Sequence, residues 1–137
     1  SLGRARENAA LNPQASRDIR WVLEDPVKFA QRERTQNQRY DLIIVDPHSP
    51  REAKQGFNIE RDLGALLGTV SAMLSESPLG VVLVCRQIGV SPTTLSHLMR
   101  HDLSIFGGRF ESGELLLTGA EGVPAVPCGA FCRWWKE

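Results

Sequence analysis

The chain lacks an excess of either charge, lacks cysteines at metal-pair spacing, and lacks any apolar run long enough to cross a bilayer. Lysine plus arginine and aspartate plus glutamate number 16 each, so no net field draws the chain toward a polyanion or an anionic membrane. A local basic patch is still open to Arg32, Arg34 and Arg39. The three cysteines, Cys85, Cys128 and Cys132, are an odd set; with no secretory leader in the sequence, free thiols in a reducing, cytoplasmic setting are expected rather than a disulfide framework. No stretch approaches the roughly 18 apolar residues of a membrane helix, so no membrane partner is expected. His97 and His101 stand one helical turn apart, but no Glu adjoins His97 and no third ligand is in view, so no metal site is expected. Internal repeats and low-complexity tracts are absent as well. What remains is 137 residues, 42% of them hydrophobic, enough for one domain with a real core.

The elements alternate. Leu2 to Leu11 is rich in helix formers and is stopped by Asn12-Pro13, because the residue before proline is pushed out of the α region. Ile19 to Leu23 is β-branched and aromatic and reads as a strand. Asp25-Pro26 reads as an N-cap and first-turn proline, opening a helix through about Arg34. The polar stretch from Gln31 to Arg39 reads as the solvated end of that helix and a loop. Asp41 to Val45 follows as a strand buried on both faces, and it ends abruptly in Asp46-Pro47-His48-Ser49-Pro50. Ile59, Leu63, Leu66, Leu67, Val70, Met73 and Leu74 recur at helical spacing. Leu79 to Cys85 is a second doubly buried strand, and Ser91-Pro92 opens a helix with Leu95, Leu98 and Met99 on one face. Two last strands, Glu111 to Thr118 and Ala130 to Trp134, form an antiparallel pair across a Gly/Pro-rich loop; of Trp134 and Trp135, alternation buries one. The sequence predicts an α/β fold with a mostly parallel sheet and a C-terminal antiparallel hairpin. The chain opens on Ser1 directly into helical sequence, so a piece of something longer is expected.

The strings Ala5-Arg6-Glu7-Asn8-Ala9-Ala10-Leu11-Asn12, Ile19 to Asp25 with Phe29, Tyr40-Asp41 to Asp46-Pro47, and Glu111-Ser112-Gly113-Glu114-Leu115 carry a resemblance. Together they resemble the C-terminal part of class I S-adenosylmethionine-dependent methyltransferases, of the large-subunit ribosomal RNA cytosine-C5 type. The resemblance implies a Rossmann-like methyltransferase sheet of strand order 3-2-1-4-5-7-6, lacking its first two strands here, with residues 1–137 a partial domain. It also implies S-adenosylmethionine as cofactor and RNA as partner. Asp25 would meet the adenine amino group with Glu24 beside it. Asp46 and Pro47 would flank the sulfonium and the target base, and Cys85 would be the nucleophile that attacks C6 so that C5 can take the methyl group.

The residues also admit plainer readings. Asp25 caps a helix as well as it binds adenine, Asp46 before proline caps a turn, and a cysteine ending a buried strand is commonly a small inert hydrophobe. The loop departs from the family's Asp-Pro-Pro-x-Phe, with His48 for the second proline and Pro50 for the aromatic, which removes a stacking surface for a flipped base. No glycine-rich turn follows a first strand. A catalytically silent methyltransferase-like remnant or interaction module is therefore the rival expectation. Removal of the first strands would leave Ile19 to Leu23 either paired with Asp41 to Val45 or without a neighbour.

Overall fold

The computed structural model describes residues 2–12, 18–47, 58–87 and 89–137. Helix α1 spans Leu2–Ala10 and buries none of its residues. Helix α2, Pro26–Thr35, starts where Asp25 Oδ1 accepts the N–H groups of Val27 and Lys28, both at 3.0 Å. Strand β1 is Leu42–Val45, and helix α3 is Ile59–Ala72. The start of α3 is closed from both sides: Asn58 Oδ1 accepts the Arg61 N–H at 3.0 Å, and Asp62 accepts the Asn58 N–H at 2.7 Å. Strand β2 is Gly80–Cys85, helix α4 is Pro92–Leu103 with Ser91 as its N-cap, and strands β3, Arg109–Leu117, and β4, Val126–Trp135, end the chain.

The four strands lie in the order β1-β2-β4-β3, the order of the last four strands that the resemblance implies. β1 pairs parallel to β2, with Val45 opposite Leu83. β4 pairs antiparallel to both β2 and β3. Among the described residues the sheet is mixed, with one parallel pair and two antiparallel ones. Ile19 to Leu23 is not a strand. A strand needs a partner backbone, and nothing described offers one; Leu23 is 83% exposed, and this segment is tied instead by Arg20, whose Nη2 lies 3.1 Å from Glu33 Oε1.

The stretch read as solvated holds a fully buried acid. Glu33 has no exposed surface, and its carboxylate accepts the Tyr40 hydroxyl at 2.5 Å as well as Arg20 and Arg32. The Tyr40 bond comes first in holding the Glu33 carboxyl below its ordinary range. Arg32 also pairs with Glu24, and Arg39 donates to the Ala72 carbonyl at 2.9 Å, so two of the three cations of the supposed basic patch have intramolecular partners.

One face of the sheet is covered. Leu63, Leu67 and Val70 of α3, with Leu95, Met99 and Leu103 of α4, meet Val81, Leu83 and Cys85 of β2 and Ala130, Cys132 and Trp134 of β4 in one core. Trp134 is 1% exposed, and its indole N–H is satisfied by the Gly107 carbonyl at 2.6 Å; Trp135 is partly exposed, as alternation requires. The other face has no helix on it among the described residues, and Leu42 and Ile44 there are 50% and 66% exposed.

Candidate functional site

Strand alternation decides what the carboxyl edge presents. Val45 and Cys85 both point into the helix-covered core, so the next residue after each, Asp46 and Arg86, leaves toward the bare face. There they meet: Arg86 Nη1 lies 2.6 Å and 2.7 Å from the two Asp46 carboxylate oxygens, joining the ends of β1 and β2. That bond comes first in raising the Arg86 guanidinium further above its ordinary value. Arg86 was not a sequence candidate. No local pattern in the sequence signals a pairing between residues 40 apart.

Beside the pair opens a cleft of about 600 Å3, lined by Arg86, Gln87, the Ser91-Pro92 start of α4, Glu114, Cys128 and Gly129. The pairing of β3 and β4 slips between Leu115 and Leu116, leaving Cys128 as an extra residue, a bulge of the kind that turns a side chain aside. Gly129 permits the close approach of β4 to the end of β2. Its φ is +150°, and a Cβ there would stand 2.6 Å from the Cys85 carbonyl oxygen and 3.3 Å from Arg86 Cγ.

The sequence candidates fall in three places. Asp46 and Pro47 sit at the carboxyl edge, Asp46 exposed and Pro47 half-buried; His48 and Pro50 lie outside the described residues. Cys85 is fully buried, on the opposite side of the sheet from Asp46, so the structure does not bring the two to one accessible surface. Asp25 and Glu24 lie at the start of α2: Asp25 Oδ1 serves the helix cap and Oδ2 has no partner among the described residues, while Glu24 is paired with Arg32. Burial pushes the Cys132 thiol up, as expected of a core cysteine. His97 and His101 are exposed, and among the described residues no group of three or more His, Cys, Asp or Glu is placed to hold a metal ion. No described helix is long and apolar enough to cross a membrane.

Comparisons with known proteins give the fold a family context. Scans against protein-family models and against curated proteins give no match. Among solved structures, an S-adenosylmethionine-dependent methyltransferase from Agrobacterium tumefaciens is 31% identical and superposes over 98% of this chain and 45% of its own, with a TM-score of 0.86. A protein from Streptococcus mutans described as an S-adenosylmethionine-dependent methyltransferase is 15% identical, covering 82% of this chain and 30% of its own, with a TM-score of 0.58. A third structure, described as a methyltransferase in complex with S-adenosylhomocysteine, is 19% identical over 82% of this chain and 30% of its own, with a TM-score of 0.52. The last two show likeness of fold alone. The chain spans less than half the length of the solved relatives it matches first, and over that span it has the class I S-adenosylmethionine-dependent methyltransferase fold.

Proposed function

We propose that the chain is the C-terminal part of an S-adenosylmethionine-dependent methyltransferase domain, whose preceding part supplies the glycine-rich cofactor loop and the ribose-binding acid. The acceptor is RNA, with cytosine C5 the position that the resemblance implies. The observation that supports this most is the 31%-identical match over 98% of the chain; in this chain Asp46 directly follows β1, which pairs parallel to β2, and the carboxyl end of such strands is where open α/β sheets take their ligands. The unpartnered Asp25 Oδ2 fits an adenine amino group without sacrificing the helix cap. The bound cofactor would supply an electrophilic methyl group. The chain's own residues would hold the adenine through Asp25, with Glu24 next to it, and shape the transfer edge through Asp46 and Pro47.

The acceptor position turns on Cys85. Methylation at C5 requires a thiolate to attack C6, and the Cys85 thiol is fully buried here, so a C5 acceptor requires that thiol to become exposed in the parent. Titration calorimetry and transfer of labelled methyl groups to RNA test the proposal in the parent protein. The expected results are cofactor binding by the parent, weak or no binding by residues 1–137 alone, and a covalent adduct with 5-fluorocytosine RNA that Cys85→Ala abolishes. Transfer that survives Cys85→Ala but not Asp46→Ala moves the acceptor to an already nucleophilic atom. A parent that binds no cofactor establishes the rival reading, a silent interaction module, which is favoured by His48 and Pro50 standing for the family's second proline and aromatic.

A further inference from the structure

We propose that Arg86 is a positioning residue of the acceptor edge, fixing where the Asp46 carboxylate points; this rests on Asp46 being a transfer-site residue, as proposed above. Asp46 follows the last residue of β1 and precedes a proline, which has no N–H to offer it. Among the described residues its carboxylate has no other partner than Arg86. Arg86, in turn, is anchored at its own stem: it leaves the end of β2 next to Gly129, and the missing Cβ of Gly129 is what makes room for Arg86 Cα and Cγ, 3.2 Å and 3.3 Å from where that Cβ would be. The bulge at Cys128, the left-handed Gly129 and the guanidinium therefore form one device, in which the shape of β4 sets the path of Arg86 and Arg86 sets the direction of Asp46.

Stability does not account for the device. The two side chains are 59% and 44% exposed, and exposed ion pairs contribute little to folding. Orientation is a different quantity. Without Arg86 the Asp46 carboxylate, which has no other partner among the described residues, is free to sample several rotamers, and misplacement of a group by about 1 Å can cost about a hundredfold in rate. The guanidinium, whose residue lines the cleft, holds the acid at the carboxyl edge of β1 and β2.

The test compares Arg86→Gln, Arg86→Lys, Asp46→Asn and the double variant in the parent protein, measuring cofactor affinity, kcat and KM for methyl transfer and melting temperature, with Nε NMR signals of Arg86 recorded in residues 1–137. The expected result is a drop in kcat of about a hundredfold for Arg86→Gln with cofactor affinity and melting temperature held, partial recovery in Arg86→Lys, and no further loss when Arg86→Gln is added to Asp46→Asn. Asp46→Asn should also release the Arg86 side chain, seen as faster exchange of its Nε–H with water. Unchanged kcat in Arg86→Gln, full additivity in the double variant, or an Arg86 signal indifferent to Asp46→Asn would each overturn the assignment. If instead Asp46→Asn itself is fully active, the reading of Asp46 fails, and the role of Arg86 fails with it.

Discussion

The two faces of the sheet differ more than any two elements of the chain. On one, α3 and α4 bury Val81, Leu83, Cys85 and Trp134 to within 1% of complete burial. On the other, Leu42 and Ile44 of the edge strand stand in water, with Leu79 66% exposed beside them. The same strands supply both faces, so the difference lies in what is laid on them. The covered face behaves as a finished core. The bare face carries the Asp46–Arg86 pair at its carboxyl end and a hollow of about 300 Å3 lined by Leu42, Leu79, Val82, Arg133 and Trp135 among others. Under the proposed function, this face, bare among the described residues, is the one that the preceding part of the domain would cover.

Truncation on the two faces should separate them most strongly. Leu95→Ala, from a side chain with no exposed surface, is expected to lower the stability of the chain by about 2–5 kcal/mol in urea titration. Ile44→Ala should change it by no more than about 0.5 kcal/mol. The contrast sharpens in the parent, where Ile44→Ala should become costly if the preceding part of the domain covers it. Equal, small effects in both settings would break the comparison.

The edge where the faces meet gives the next effect. Gly129→Ala forces a side chain into a strained φ and toward the Cys85 carbonyl, at a cost of about 1–3 kcal/mol. Its marker is chemical-shift change concentrated at Arg86 and Asp46 rather than in the core, checked by amide NMR.

Much of the covered face was legible from the sequence, because burial writes itself as composition. The apolar runs ending at Val45 and Cys85, the helical spacing from Ile59 and the Ser91-Pro92 start all appear within a residue or two of their expected limits. What could not be read depends on partners distant in sequence. Ile19 to Leu23 has strand composition, but no neighbouring backbone completes it. Glu33 sits in a run of polar residues and is buried only because Arg20, Arg32 and Tyr40 converge on it. The Asp46–Arg86 pair joins residues 40 apart, and no local pattern announces such a contact. The orientation of Cys85 away from Asp46 depends likewise on the β1–β2 register, which sets Val45 opposite Leu83.

Glu33 gives a smaller prediction. Tyr40→Phe removes one of three partners and should cost about 1 kcal/mol at neutral pH. Because Glu33 titrates lower in the folded chain than its ordinary 4.5, its contribution is present above that value and is lost as pH falls through the folded one. The wild-type chain should therefore lose more stability between pH 5 and pH 3 than Tyr40→Phe does, measured by urea midpoints, the pH points bracketing about 4.5. Smallest in stability is Asp25→Ala, which gives up a helix cap worth about 0.5–1 kcal/mol. In the parent the same change should weaken cofactor binding measurably by calorimetry, a loss that a purely capping role does not produce.

The most direct measurement is methyl transfer by the parent protein from labelled S-adenosylmethionine to RNA, in wild type and Asp46→Ala, with cofactor affinity measured on the same samples. Transfer should fall by about a hundredfold or more in Asp46→Ala while cofactor affinity stays within a few-fold of wild type. Transfer undiminished by Asp46→Ala in an active parent would contradict the placement of the acceptor site at the carboxyl edge of β1 and β2.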